Sequence, residues 1–314
     1  MRLSPRRGHR GPPDATGLAR AAASLGGMRF AHIRPPGSTD AELAVVKEGT
    51  AALVGDLFPG APRRLQALID GGDELLARVR SAAAGVTGIP LDQVSYGPAV
   101  DAPPVVLAIG LNYAAHSSEL GLKADSAPTV FVLWPNSLSA HEETTVWPRT
   151  LSESIDYEAE LGVVIGRAAK DVAPADALAH VWGYTVVNDI TARDIQFSEA
   201  QWSRCKSFDG FTPNGPFVVT ADEIGDPGDL HIWAVVDGQT VQDASTSQMI
   251  RSVPALVASL SRSATLLPGT LISTGSPGGA GYSRDPQIFL RDRSTVTVGV
   301  DGIGELTTHC RVLG

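Results

Sequence analysis

Asp156-Tyr-Glu-Ala-Glu-Leu-Gly-Val-Val-Ile165, taken with Tyr184-Thr-Val-Val-Asn-Asp189, decides how this chain is read. The first stretch turns apolar from Leu161 onward and ends in β-branched residues, the composition of a partly buried strand. Side chains alternate faces along a strand, so Glu158 and Glu160 point the same way, while Tyr157, Ala159 and Leu161 point into a core. Two carboxylates side by side on a half-buried strand repel each other and lose hydration, and a bound cation is the simplest remedy. Asp189 closes a second apolar strand, Val181 to Val187, and can add a third oxygen ligand. Three carboxylates without a nearby His or Cys suit Mg²⁺ or Mn²⁺, and also Ca²⁺, better than zinc. The competing reading is a solvent-facing Glu-x-Glu pair on an edge strand, with no function.

Working outward, the predicted strands are short and punctuated by Gly and Pro: Val105–Ile109, Val130–Leu133, Ile155–Ile165, Val181–Val187, Phe217–Thr220, Ile232–Val236, Leu271–Ser273 and Val296–Val300. Helices are expected at Ala192–Arg204 and Thr246–Ser261. Many strands with few long helices indicate a mixed α/β, mainly β domain, rolled rather than doubly wound. Upstream, residues 28–100 read as a small α+β unit. It opens on the strand Met28–Ile33 and carries a helix from Arg63 to Ala84 that Gly71-Gly72 divides. Residues 101–314 form the second unit. Met1 to Gly27, rich in Arg, Gly, Pro and Ala, reads as a disordered basic tail; Arg6-Arg7 has no apolar run after it, as a twin-arginine signal would need.

The 314 residues carry a net charge of −9, and because the first 27 hold five Arg and one Asp, the remainder is more acidic still. An acidic body disfavours nucleic acid and anionic membranes as partners. Cys205 and Cys310 make neither a disulfide framework nor a metal-ligand cluster, so a cytoplasmic setting is expected. No run approaches the roughly 20 apolar residues of a membrane span.

Three further segments bear chemistry. In Gly110-Leu-Asn-Tyr-Ala-Ala-His-Ser-Ser-Glu-Leu-Gly121, His116 and Glu119 are three apart and share a face if the segment is helical. A carboxylate beside an imidazole orients it as a general base. Lys206 opens the turn-rich loop Lys206-Ser-Phe-Asp-Gly-Phe-Thr-Pro-Asn-Gly-Pro216, where it can hold an anionic substrate or offset the excess of carboxylates. Ser273-Thr-Gly-Ser-Pro-Gly-Gly-Ala-Gly281 is glycine-rich but lacks the Gly-Lys-Ser/Thr of a phosphate loop. His141 has no second His for a zincin helix, and His231 and His309 read as structural.

In this order the segments resemble the fumarylacetoacetate hydrolase family, over about Val105 to Cys310. The resemblance implies a β-roll catalytic domain, a homodimer, a divalent metal and a small 2-oxo or diketo acid substrate. It implies Glu158, Glu160 and Asp189 as metal ligands, and His116 with Glu119 as a catalytic dyad on a mobile lid, about Tyr113 to Ala127. Lys206 maps to the family's catalytic lysine, and Tyr113, Arg193, Gln196 and Thr274 to substrate contacts. The implied reaction is C–C hydrolysis of an acylpyruvate or fumarylacetoacetate-like acid through a metal-bound enolate. The alternatives are a hydroxyhepta-dienedioate-type isomerase and an oxaloacetate decarboxylase. Departures from the family pattern bear on the substrate: Ala114-Ala115 after Tyr113, Cys205 before Lys206, Gly269-Thr270, and Ser276 within Thr274-Gly-Ser-Pro277. From other classes, a non-catalytic metal-binding scaffold has no use for His116 and Glu119. A nucleotide-binding protein would need a helix after the glycine-rich loop.

Overall fold

The structure is a computed structural model that describes residues 28–119, 121 and 127–314. The basic segment 1–27, and residues 120 and 122–126 of the expected lid, lie outside the described residues. The N-terminal segment contributes β1 (Arg29–Arg34), β2 (Glu42–Lys47), β3 (Thr50–Leu53), helices α1 (Leu65–Asp70) and α2 (Gly72–Ala82), β4 (Ile89–Pro90) and β5 (Ser95–Tyr96). Next come β6 (Val106–Gly110), α3 (Ala114–Glu119), β7 (Thr129–Leu133), β8 (Leu138–Ser139), β9 (Thr144–Pro148), β10 (Ile155–Asp156) and β11 (Ala159–Ile165). They are followed by β12 (Val181–Asn188), β13 (Thr191–Ala192), α4 (Arg193–Ser198), β14 (Thr212–Thr220), α5 (Ala221–Ile224), β15 (His231–Val236) and β16 (Gln239–Ser245). The chain ends with α6 (Val253–Ser263), β17 (Leu271–Ser273), β18 (Thr295–Val300) and β19 (Gly304–Leu313).

The structure is mixed α/β and mostly strand. Twelve strands form one sheet with the main path β4-β3-β2-β1-β14-β12-β11-β17-β6-β7, and β16-β15-β18-β19-β9 form a second. β11 lies inside the large sheet, antiparallel to both β12 and β17. It is therefore not the exposed edge on which a Glu-x-Glu pair would mean little. Its two faces meet two different cores. Leu161, Val163 and Ile165 join a cluster with Ile232, Val236, Val298 and Leu306 of the second sheet. Val164, with Val187 of β12, joins another that includes Ala108, Phe131, Leu271 and the helix residues Leu65 and Leu68. At roughly 1.5–3 kcal/mol for each such side chain, burial on both faces fixes the strand's register as well as its place.

β1 pairs antiparallel with β14, Phe30 opposite Val218, so the N-terminal strands extend the same sheet that holds β11. The anticipated break at Gly71-Gly72 separates α1 from α2, and Gly72 takes φ +63°, a conformation that costs glycine little. Two helices are shorter than the pattern suggests. α4 ends at Ser198, with extended backbone at Glu199, and a single tight turn at Arg204–Lys206 follows. α6 begins only at Val253, because Pro254 fits the first turn of a helix and not its interior. β9, β16 and β19 are missing from the sequence reading. β19 alternates buried Leu306, Thr308 and Cys310 with part-exposed Glu305, Thr307 and His309, so no apolar run marks it.

Candidate functional site

β11 and β12 set the site by register. Ala159 lies opposite Asn188 and Glu160 opposite Val187, and the Asp189 N–H donates to the Glu158 carbonyl at 3.0 Å. Glu158 and Asp189 therefore face each other one step beyond the ladder, on the face that also carries Glu160. All three side chains are buried. They share a cavity with His116, Lys206, Gln196, Ser276 and the apolar Ile109, Leu111, Phe131 and Trp202.

The charges in this cavity are sorted by their neighbours. Lys206 Nζ donates to Glu158 Oε2 at 2.6 Å, Asp189 Oδ2 at 2.7 Å and Thr191 Oγ1 at 2.8 Å. Arg193 Nη2 donates to Glu158 Oε1 at 2.7 Å. Burial alone would raise the Glu158 pKa, but Lys206 and Arg193 outweigh it and hold this carboxyl well below the usual range. Among the described residues, Glu160 receives only neutral donors, Ser273 Oγ at 2.6 Å and the Gly275 N–H at 2.8 Å. Burial, with Asp189 and Glu158 nearby, pushes it well above the usual range. Asp189 lies between the two: burial raises it, Lys206 opposes, and the balance is about 6.

His116, on α3, reaches the same group. Its Nε2 is 3.2 Å from Glu158 Oε1, and its Nδ1 faces Glu119 Oε2 across 3.6 Å, beyond hydrogen-bond length. Burial disfavours the imidazolium, yet Glu119 and Glu158 together raise its pKa. Glu119 is itself anchored, accepting the Gly279 N–H at 2.8 Å. The glycine-rich loop that does not read as a phosphate loop is thus an anion cradle for the protein's own carboxylates. Gly275 N–H serves Glu160 and Gly279 N–H serves Glu119, while the N–H groups of Gly281 and Tyr282 serve Asp156 at 2.8 and 3.0 Å. A Cβ at Gly281 would sit 2.7 Å from Asp156 Oδ1 and 1.8 Å from the Ile288 carbonyl oxygen, so only glycine permits this approach.

Of the residues singled out from sequence, Glu158, Glu160, Asp189, His116, Lys206 and Gln196 line one cavity. Arg193 stands behind Glu158 and Glu119 behind His116. Gln196 Oε1 accepts from Arg193 Nη1 at 2.9 Å. Tyr113 and Thr274 are buried with hydroxyls that meet no hydrogen-bond partner among the described residues. Among the lining residues of this cavity, His141, His231 and His309 do not appear. Asp156 has a role that sequence reasoning did not assign. Fully buried, it accepts Arg193 Nε at 2.8 Å and so holds the guanidinium that holds Glu158. Its position two residues before Glu158, on the same side of an extended chain, was the available signal. Phe131, Trp202 and Gln242 were also missed; Gln242 ties β11 to the loop, accepting the Ala159 N–H and donating to Ser276 and Pro277.

The residues fit a divalent cation. Glu158, Glu160 and Asp189 each offer an oxygen within 4.8 Å of the others. The donor set is all carboxylate, the preference of Mg²⁺, Mn²⁺ and Ca²⁺. Asp189 Oδ1 is buried with no hydrogen-bond partner among the described residues, an arrangement that is costly unless a ligand completes it.

Known proteins share this architecture. Residues 105–311 match the family profile "Fumarylacetoacetate (FAA) hydrolase C-terminal". The chain is similar to the fumarylacetoacetate hydrolase of psychrophilic Exiguobacterium antarcticum, 32% identical with TM-score 0.79, covering 91% of this chain and 100% of that one. It is similar to the 2-hydroxyhepta-2,4-diene-1,7-dioate isomerase of Mycobacterium marinum, 32% identical with TM-score 0.71, over 91% and 99% of the two chains. It is also similar to the maleylpyruvate hydrolase of Sphingobium sp. SYK-6, solved with manganese(II) and pyruvate, 27% identical with TM-score 0.77, over 91% and 100%. A profile spanning most of the chain, on a fold that gathers the motif residues into one cavity, makes this protein an enzyme of the fumarylacetoacetate hydrolase family, a family with both hydrolase and isomerase members.

Proposed function

We propose that the protein is a divalent-metal-dependent hydrolase that cleaves a C–C bond in a small 2-oxo or diketo acid of the acylpyruvate type. The observation that carries this is the triad Glu158, Glu160 and Asp189 with the His116 imidazole against Glu158. The three carboxylates would hold Mg²⁺ or Mn²⁺, and Ca²⁺ is also compatible with them. A bound cation would polarise the substrate's carboxylate and 2-oxo oxygens as a Lewis acid.

The chain's own groups supply the rest. His116, oriented by Glu119, takes a proton from water or from substrate carbon. When water adds to the distal carbonyl, the C–C bond breaks. Its electron pair stays on the pyruvoyl fragment, which accepts a proton and leaves as a 2-oxo acid, and the other fragment leaves as a carboxylic acid. Lys206 keeps Glu158 and Asp189 ionised and apart, and Arg193 keeps Glu158 in place. The cavity between the described residues is small, about 10 Å³, or room for one water. Substrate entry therefore requires a wall to move, and α3, six residues long and carrying both His116 and Glu119, is the wall we assign. The same reading places the enzyme in the cytoplasm as a homodimer, with residues 101–314 as the catalytic unit.

The Sphingobium neighbour, with manganese and pyruvate, supports the metal and the 2-oxo head. The Mycobacterium marinum neighbour supports the isomerase reading, in which His116 returns the proton to a different carbon and no water is activated. A screen of acylpyruvates, oxaloacetate and a hydroxymuconate-type dienoate, each with Mg²⁺ and with EDTA, separates these outcomes. Metal-dependent release of pyruvate from an acylpyruvate is expected. Turnover of the dienoate without fragmentation would make the protein an isomerase.

A further inference from the structure

The apolar part of the cavity lining bears on the rest of the substrate. It is made of Ile109, Leu111, Phe131 and Trp202. Phe131 and Trp202 meet edge to face, with ring centroids 5.7 Å apart and planes at 70°. A Cβ on Gly110 would fall 2.3 Å from the Trp202 ring, so the glycine is what lets the indole lie against β6. Trp202 is half-buried, which puts it at the border of the cavity. Among the described lining residues, Lys206 is the single Lys or Arg. It stands 5.5 Å from the Phe131 ring centre, and its three donors are all directed to Glu158, Asp189 and Thr191.

Among the described residues, the charge balance leaves nothing over for a second anionic group. Arg193 is matched by Asp156, so the three carboxylates are left facing the Lys206 ammonium, and a divalent cation brings that sum to zero. The substrate's head carboxylate then makes it negative. A second carboxylate at the far end would lie against aromatic rings in a site already negative, losing hydration without gaining a counter-ion. An apolar end gains both burial and ring contact.

We propose that the Phe131–Trp202 wall selects substrates whose far end is uncharged and apolar, an alkyl, alkenyl or aryl ketone, over those ending in a second carboxylate. The inference rests on the function proposed above and names the substrate class of that site. Unreactive oxamates test it directly, because they share an oxalate-like head and differ only in the tail. Isothermal titration of the full-length, Mn²⁺-loaded protein should show N-phenyloxamate binding about tenfold or more tighter than N-(4-carboxyphenyl)oxamate. Trp202→Ala should erase that ratio while leaving oxalate affinity within about twofold, and Phe131→Leu, a milder change, should reduce the ratio. Equal or tighter binding of the carboxylated oxamate overturns the inference, as does a ratio that neither substitution alters. If oxalate binds and neither oxamate does, the wall does not accept tails and the inference fails while the metal and head-group reading stands. Failure of oxalate as well overturns the proposed function, and this inference with it.

Discussion

Glu158 and Glu160 are two residues apart where the chain enters β11, both buried, and open onto the same cavity, yet their surroundings treat them oppositely. On the Glu158 side, α4 and the turn after it deliver two cations, Arg193 and Lys206. On the Glu160 side, β17 and the glycine-rich loop deliver a hydroxyl and a backbone N–H. One carboxyl is held far below its ordinary pKa and the other far above it. Burial raises both acids alike, so the difference between them comes from the neighbours supplied by the rest of the fold. A cluster divided in this way would release protons to a divalent cation on binding, without all three carboxylates having to be ionised in the metal-free protein.

That contrast can be broken from either side. The largest effect on the metal-free protein is expected from Glu158→Gln, which leaves Lys206 and Arg193 buried without their shared anion. Urea unfolding should show a loss of about 3–5 kcal/mol, together with loss of metal binding. Of similar size, but in rate, His116→Ala should lower kcat by about 10²–10⁴ with metal affinity little changed. Loss of metal on that substitution would make His116 a ligand. Because Glu119 helps to raise the His116 pKa, the basic form of the imidazole should appear only above its ordinary 6.5, and activity should rise with pH through that limb. Glu119→Gln should lower kcat more mildly and move the limb to lower pH.

A smaller loss is expected at Asp156→Asn, which keeps an oxygen for the Gly281 N–H but turns an amide NH2 toward the Arg193 and Tyr282 N–H groups and so weakens the hold on Arg193. A charge-assisted hydrogen bond of about 1.5–3 kcal/mol is at stake, and metal affinity should fall with it while the far-UV spectrum stays unchanged. The smallest stability change belongs to Glu160→Gln. An amide resembles the protonated acid already favoured there, so metal-free stability should move by less than about 1 kcal/mol while metal binding is lost. Glu158→Gln and Glu160→Gln would then share one functional defect and differ in stability. Equal destabilisation would remove the basis of the contrast.

Much of this site was legible in sequence because it is local. Glu158 and Glu160 follow from the period of a strand, and His116 with Glu119 from the period of a helix. The pairing of Glu158 with Asp189 needed only that two adjoining strands lie side by side. What was not legible depends on contacts across the fold. Asp156 stands in the deciding stretch, but its partners include Gly281 and Tyr282, more than a hundred residues later. Trp202 falls within a segment expected to be helical, and extended backbone at Glu199 breaks that helix before it. The glycine-rich loop carried a composition that the sequence could flag, but its anions, Glu160, Glu119 and Asp156, are the chain's own. In the fold, apolar runs mark β11, β12, β17 and β18, whereas β9, β16 and β19 hold no long apolar run and escape the pattern. The union of β1 with β14 joins positions some 190 residues apart, which no local pattern encodes.

Asp189 gives the most direct test of the central claim that these carboxylates form a metal site. Its pKa is raised from 3.8 to about 6, so its contribution to stability is fully present below 3.8 and is lost as pH rises through about 6. Metal-stripped protein should therefore lose stability across that window, and Mn²⁺ should restore it. Calorimetric titration of Mn²⁺ into the stripped protein at pH 5 and pH 7, in two buffers of different ionisation enthalpy, measures affinity and proton release together. The account predicts one site per chain, tighter at pH 7, with protons released at pH 5, and acylpyruvate cleavage that appears only as the site fills. Full activity in protein shown by elemental analysis to be metal-free, or Mn²⁺ binding that is indifferent to pH and to Glu158→Gln, would contradict it.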